Sequence, residues 1–393
     1  MTKNISNHTK YSFAKLIILA LLVMGCFSQT VLAQHTNRNN QDTNRNNLGV
    51  IEKKIAQGSK VVIDSRFGDL SVIGWDREEL QAVADEIPLT IKEEGNKFIV
   101  SAPYSQRHSG FDMSVKVPKG VDIEIIDKRS GDLRIENITG TTTLTMTSGD
   151  VDIINVGVLD LNLSSGDIHI TQAGRTNIKT RRGNISLESA GGAVNITSFS
   201  GDVSVKNVQG ELTCKSVSGD IDIETVTGLV NLSLSSGDAR ISNLENDLLI
   251  SAISGEIKAQ CIKGRVDINS ASGSIALEDV TDDIQVVTVN GDITVESAIR
   301  PKGRYSLKTT SGDISFVMQD NPPGFSADMF CYKGEIETDL ELKIEPNSKN
   351  VVKHGQESII GRYGDGQTQI KLSTFTGAVT LFKGYKKSSS ECK

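Results

Sequence analysis

Aromatic residues are scarce in this chain: they make up 5% of 393 residues, and Trp75 is the only tryptophan. Proline is scarce as well, at 7. Set against 36 glycines and 37% hydrophobic residues, these shortages exclude a helical bundle and fit many short strands joined by tight glycine turns. An excess of positive charge is also missing. The net charge is −7 and the pI near 5.4, so no basic face offers the counterion release that nucleic-acid binding needs. Cysteines are few, and those in the body of the chain, Cys214, Cys261, Cys331 and Cys392, lack short spacings, which excludes a disulfide-dense scaffold. Long hydrophobic runs are lacking too. The longest, Leu16 to Phe27, falls short of the ~20 residues that a membrane-spanning helix requires.

That short run has a different meaning. Lys3, Lys10 and Lys15 precede it and Val31-Leu32-Ala33 follows as a small-residue cleavage site, so residues 1–33 read as a signal peptide with the mature chain starting at Gln34. The alternative is a lipid anchor: Val23-Met24-Gly25-Cys26 loosely resembles a lipoprotein cleavage box, with Cys26 as the lipidation site. Either route takes the protein out of the cytoplasm, to the periplasm, the cell surface or the medium. Residues 34–48 then repeat a polar motif, His35 to Asn40 and Asp42 to Asn47, that has nothing apolar to bury and is expected to be a disordered linker.

What the chain does have is a period. Glycines fall at 131, 149, 166, 183, 201, 219, 237, 255, 273 and 291, a spacing of 17 or 18 throughout, and then at 312, 334, 355 and 377 with a spacing of 21 or 22. Such regularity predicts a repeat fold, with coils that widen toward the C-terminus. Within the unit that starts at Gly201, the apolar residues Val203, Val205 and Val208, then Leu212, Cys214 and Val217, show one offset pattern run twice. Ala239, Ile241, Leu244, Leu248, Ile250 and Ile253 repeat it. The spacing of two marks short strands with one face inside, and stacked coils would join these faces into one aliphatic core. The prediction is an all-β, single-chain β-solenoid of about 18-residue coils over residues 130–384, with an N-terminal β region over 49–129 as its cap and a disordered tail over 385–393. On this pattern Cys214 is a core residue and Cys261 a corner residue of a different strand, a placement that disfavours pairing the two.

Glycine at each corner supplies positive φ. The acidic residue after it, at 132, 150, 167, 202, 220, 238, 256 and 292, invites a reading as a cation ladder, but hydrogen bonds from nearby backbone N–H groups alone account for Ser-Gly-Asp, so no metal site is expected. At the flanks, Phe67-Gly68-Asp69 with Leu70, Val72 and Trp75 matches a half-repeat and places Trp75 in the core. Leu89 to Lys92 and Lys97 to Ser101 read as a hairpin, and Gln367 to Leu372 and Ala378 to Phe382 as two strands. Recurrent Ser-Gly-Asp followed by alternating aliphatics, Val117-Pro118-Lys119-Gly120, and Gly364-Asp365-Gly366 before a last strand resemble the bacterial putative-adhesin family of exported β-strand-repeat proteins, over about residues 50 to 384. The resemblance implies a solenoid and an envelope location, and it brings no catalytic residues.

Chemical motifs are missing. The histidines, His8, His35, His108, His169 and His354, are far apart, so neither a metal cluster nor a triad can be drawn, and no cofactor is expected. His169 falls on an outward strand position. Arg182-Gly183-Asn184 is a turn variant, and single glycines depart from the Gly-Gly-x-Gly-x-Asp turns of calcium-binding repeats. Between Gly131 and Gly291 the coils carry no insertions that would build a cleft. The expectation is a non-enzymatic envelope interaction or scaffold module, a putative adhesin whose protein or glycan partner the sequence leaves unassigned, with the ligand-binding residues unknown. A glycan-active lyase or hydrolase and a purely structural spacer are the rivals.

Overall fold

The computed structural model describes residues 50–85, 87–103, 110–344, 356–385 and 392. The expected signal peptide with Cys26, the whole polar linker, His35, His108, His354, Gly355 and most of the tail lie outside them. Every regular element among the described residues is a strand, and 33 strands join one continuous sheet wound as a solenoid. Each coil contributes two strands. Val203–Val208 lies in parallel on Ile221–Val226, with Val203 on Ile221 and Val205 on Ile223, while Leu212–Ser218 lies on Val230–Leu234, with Leu212 on Val230 and Cys214 on Leu232. Like side chains therefore stack on like, and the interior is a column of buried Val, Ile and Leu.

The two strands of a coil differ in phase. Asn207 has φ of 50°, and Asn137, Asn155, Thr225, Asn243, Cys261 and Asp279 occupy the same place in their coils at φ between 52° and 61°. A left-handed residue there adds a second outward side chain to the alternation, as a bulge does, and brings Val208 back inside. The second strand has no such residue, so plain alternation continues through Leu212, Cys214 and Ser216. The apolar offsets predicted that Val217 and Ile253 point inward. The structure instead buries Ser216 and leaves Val217 41% and Ile253 61% exposed. In several coils the inward residue is a small hydroxyl that donates to the corner carbonyl two residues on, Ser270 to Ser272 at 3.1 Å and Thr374 to Thr376 at 3.2 Å, while Leu163 and Leu234 fill the same place in others.

All three residues of Ser-Gly-Asp serve the corner. Ser236 Oγ donates to the carbonyl of Val217 one coil below at 3.1 Å. Gly219 has φ of 117°, and a Cβ there would lie 2.2 Å from the carbonyl oxygen of Gly201, so both backbone conformation and stacking demand glycine. Asp202 Oδ1 accepts the N–H of Asp220 at 2.9 Å, and Asp220 Oδ1 that of Asp238 at 2.9 Å, which is the backbone satisfaction the sequence suggested for these acids.

Stacking order and sequence order part company at both ends. The spacing predicted successive coils at Gly312, Gly334 and Gly377. The strands Thr368–Thr376 and Val379–Lys383 instead insert directly on Arg304–Lys308 and Ile314–Met318, and Phe325–Lys333 and Ile336–Thr338 stack outside them. At the other end Lys60–Asp64 and Leu70–Trp75 lie between an outer coil, Lys97–Ser101 with Met113–Pro118, and the inner strands Asp122–Lys128 and Leu133–Ser148. Antiparallel strands then cover each end: Glu79–Ala84 on Met113–Pro118, the predicted hairpin Thr90–Glu94 with Lys97–Ser101, and Glu357–Tyr363 on Phe325–Lys333. They pair backbone groups that a bare terminal edge would offer to other chains.

Candidate functional site

Outward positions of the first strands form a polar groove of about 540 Å³ that crosses five coils. Its rungs are Ser204 and Lys206, Asp222 and Glu224, Arg240 and Ser242, Lys258 and Gln260, then Ala276 and Glu278, each pair in register with the next. The floor is the flat backbone between them. Its charge runs positive at Lys206, negative at Asp222 and Glu224, positive at Arg240 and Lys258, and negative at Glu278. Lys206 pairs with Glu224 at 3.1 Å, while Arg240 and Lys258 reach back to the corner acids Asp238 and Glu256 at 3.9 and 3.7 Å. All these ends are about half exposed, so the ion pairs are weak and exchange readily for contacts with a ligand. The groove has no aromatic side chain.

A second outward column runs beside the glycine corner, two residues before each glycine. Its successive rungs are Phe199, Val217, Ser235, Ile253, Ala271, Val289, Thr310, Phe375 and Tyr332. Phe199 is 61% exposed, and Val217, Ile253, Val289, Phe375 and Tyr332 are also exposed, so this column is an apolar ridge along an otherwise polar surface. Phe375 and Tyr332 stack with ring centroids 4.5 Å apart. The sequence pattern hid the ridge because two of its members, Val217 and Ile253, were counted as core. A signal was present: the small residue one place earlier, Ser198, Ser216 or Ser270, marks the inward position.

Other polar clusters are structural. Asp283 is nearly buried and accepts Arg300 Nη2 at 2.6 Å, Arg304 Nε at 3.0 Å and the Arg304 N–H at 2.9 Å. Burial pushes its carboxyl up, but the Arg304 N–H and the two guanidiniums outweigh this and hold it below the usual carboxylate range. The cluster pins the widened turn before Arg304. Trp75 lies at the outward end of its strand rather than in the core: Leu70, Val72 and Gly74 take the inward places, and Arg77 and Lys116 approach its ring at 5.0 and 5.7 Å. His169 is half exposed beside Glu188, as its outward position predicted. Cys214 and Cys331 are buried and free, whereas Cys261 bonds Cys392 across a separation of 131 residues, a pairing that the spacings did not reveal. Asp279 lies beside this disulfide, but the two sulfurs are spent on each other.

The architecture defines a parallel β-solenoid with antiparallel ends. The profile of the Toastrack DUF4097 family matches residues 54–243 and 209–381, so the chain belongs to that family. Among solved structures, it is similar to a putative lipid binding protein from Parabacteroides distasonis ATCC 8503 (16% identity, 68% of this chain and 95% of that one, TM-score 0.23). It is also similar to a putative adhesin from Bacteroides fragilis NCTC 9343 (16% identity, 62% and 95%, TM-score 0.21). A putative cell adhesion protein from Clostridium sporogenes ATCC 15579 shares 8% identity over 85% of this chain and 99% of that one, with a TM-score of 0.13. No curated protein matches the chain.

Proposed function

We propose that the chain is an exported, non-enzymatic interaction module of the cell envelope, and that the groove between Ser204 and Glu278 contacts an extended polar polymer. The observation that carries this reading is the groove's form: polar rungs in register over five coils, spaced by one strand width of ~4.8 Å, open to solvent and mixed in charge. That form suits a ligand with a repeat of its own, held by hydrogen bonds and paired charges, since no ring is present for stacking. Catalysis fits poorly. Acid/base work on a glycan needs two carboxyls set apart by environment, and the groove acids lie half exposed on a flat face.

The test is cosedimentation of the purified chain with insoluble envelope polysaccharide and with whole envelope fractions. Reversing two rungs, Arg240→Glu with Lys258→Glu, is expected to weaken binding roughly tenfold or more while leaving the melting midpoint in place. Equal binding by wild type and variant would remove the groove from the contact. Cleavage of the polysaccharide would favour an enzyme, and failure to bind any fraction would favour a spacer.

A further inference from the structure

The apolar ridge has an order as well as an extent. Read outward from Ala271, its rungs match in pairs by class: Ile253 with Val289, both β-branched; Ser235 with Thr310, both small hydroxyls; Val217 with Phe375, both apolar; Phe199 with Tyr332, both aromatic. The next rung outward is polar on both sides, Arg181 beside Phe199 and Gln356 beside Tyr332. A near-palindrome of this kind gains nothing from a lipid or an unrelated protein. It suits an isologous contact, in which a two-fold axis places residue i on residue j and residue j on residue i, so that apolar rungs meet apolar rungs.

We propose that the ridge is the contact between two copies of this chain, set antiparallel about a two-fold axis at Ala271. Each side chain then meets one of its own class. On the strand side of the ridge the column two residues back carries Lys215 and Lys308, and the axis sets Lys215 against Ser373 and Lys308 against Ser233, so no lysine faces a lysine. On the corner side the axis sets Glu256 toward Asp292 and Asp238 toward Asp313, which weakens the contact at low salt. Size limits the strength. Nine rungs span roughly 38 Å at one strand width each, and a ridge about one side chain wide buries on the order of 400 Å² per partner, below the ~800 Å² of a standard stable interface. The dimer is therefore weak and concentration-dependent. Its two rods lie side by side and present two grooves.

Sedimentation of the full chain up to high micromolar concentration is expected to show a monomer–dimer equilibrium. Ile253→Asp with Val289→Asp is expected to weaken it roughly tenfold or more without lowering the melting midpoint, because both positions are exposed. Oxidative cross-linking fixes the orientation. Ala271→Cys should form a disulfide-linked dimer with itself, and Phe199→Cys should link to Tyr332→Cys but not to another Phe199→Cys. The proposal is overturned by a chain that stays monomeric throughout, by Phe199→Cys linking to itself, which would mean parallel ridges, or by a monomer that floats with phosphatidylcholine vesicles until Ile253 and Val289 are replaced.

Discussion

Lys128 is the largest charged side chain enclosed by the fold. It sits 1% exposed where the solenoid meets its N-terminal cap, and its Nζ donates to the carbonyls of Gly68 and of Ser130, the latter at 2.8 Å. Burial pushes its ammonium down to about 8, against the pull of Asp69, Asp112 and Asp132. A folded pKa below the unfolded 10.5 sets the sign: the group's contribution to stability is complete above about 10.5 and is lost as the pH falls through 8. Between pH 7 and pH 10 the wild type should therefore gain about 2 kcal/mol in unfolding free energy relative to Lys128→Met. Urea titrations at both pH values check this, and a constant difference would mean that the ammonium is not held out of water. Nothing in the sequence singled this lysine out, because the depth of a lone charge depends on which coil covers it, and here the covering coil arrives out of sequence order.

At the scale of the element, the coil is the unit that adds or subtracts. Deleting Gly219 to Ser236 brings Gly237 onto Gly201 and keeps every later strand in phase at the cost of one rung. Deleting Gly219 to Asn231 leaves later strands out of phase and turns apolar side chains such as Ile241 and Leu244 toward water, at roughly 1.5–3 kcal/mol each. In denaturant the first variant should unfold cooperatively near the wild-type midpoint and the second should melt early or aggregate; equal stability would refute the coil period. The solenoid, the corner glycines, the N–H-satisfied acids and the flanking hairpin were legible because a period repeated many times averages out local noise. Two features of the coils were not. Val217 and Ile253 looked inward because apolar side chains were taken as core, while plain alternation puts the small residue one place earlier, Ser216 or Ala252, on the inward side. The end coils looked sequential because glycine spacing fixes the length of a coil and says nothing about which edge it joins.

Across the whole molecule, a disulfide ties Cys261, in the middle of the stack, to Cys392. Cross-linking so long a loop removes much of the unfolded chain's freedom, so Cys392→Ser or gentle reduction should cost about 2–4 kcal/mol. Non-reducing peptide mapping should recover the Cys261–Cys392 pair, with Cys214 unreactive in the native state because burial pushes its thiol up to about 12. Rapid alkylation of Cys392 in the native protein would dissolve the link.

The same bond redirects mechanical load. A pull applied at Cys392 reaches Cys261 through the sulfurs and does not pass along the backbone between them. The C-terminal coils, with their inserted strand pair, then lie outside the line of tension, and a tug that stretches the N-terminal part of the rod leaves them slack and folded.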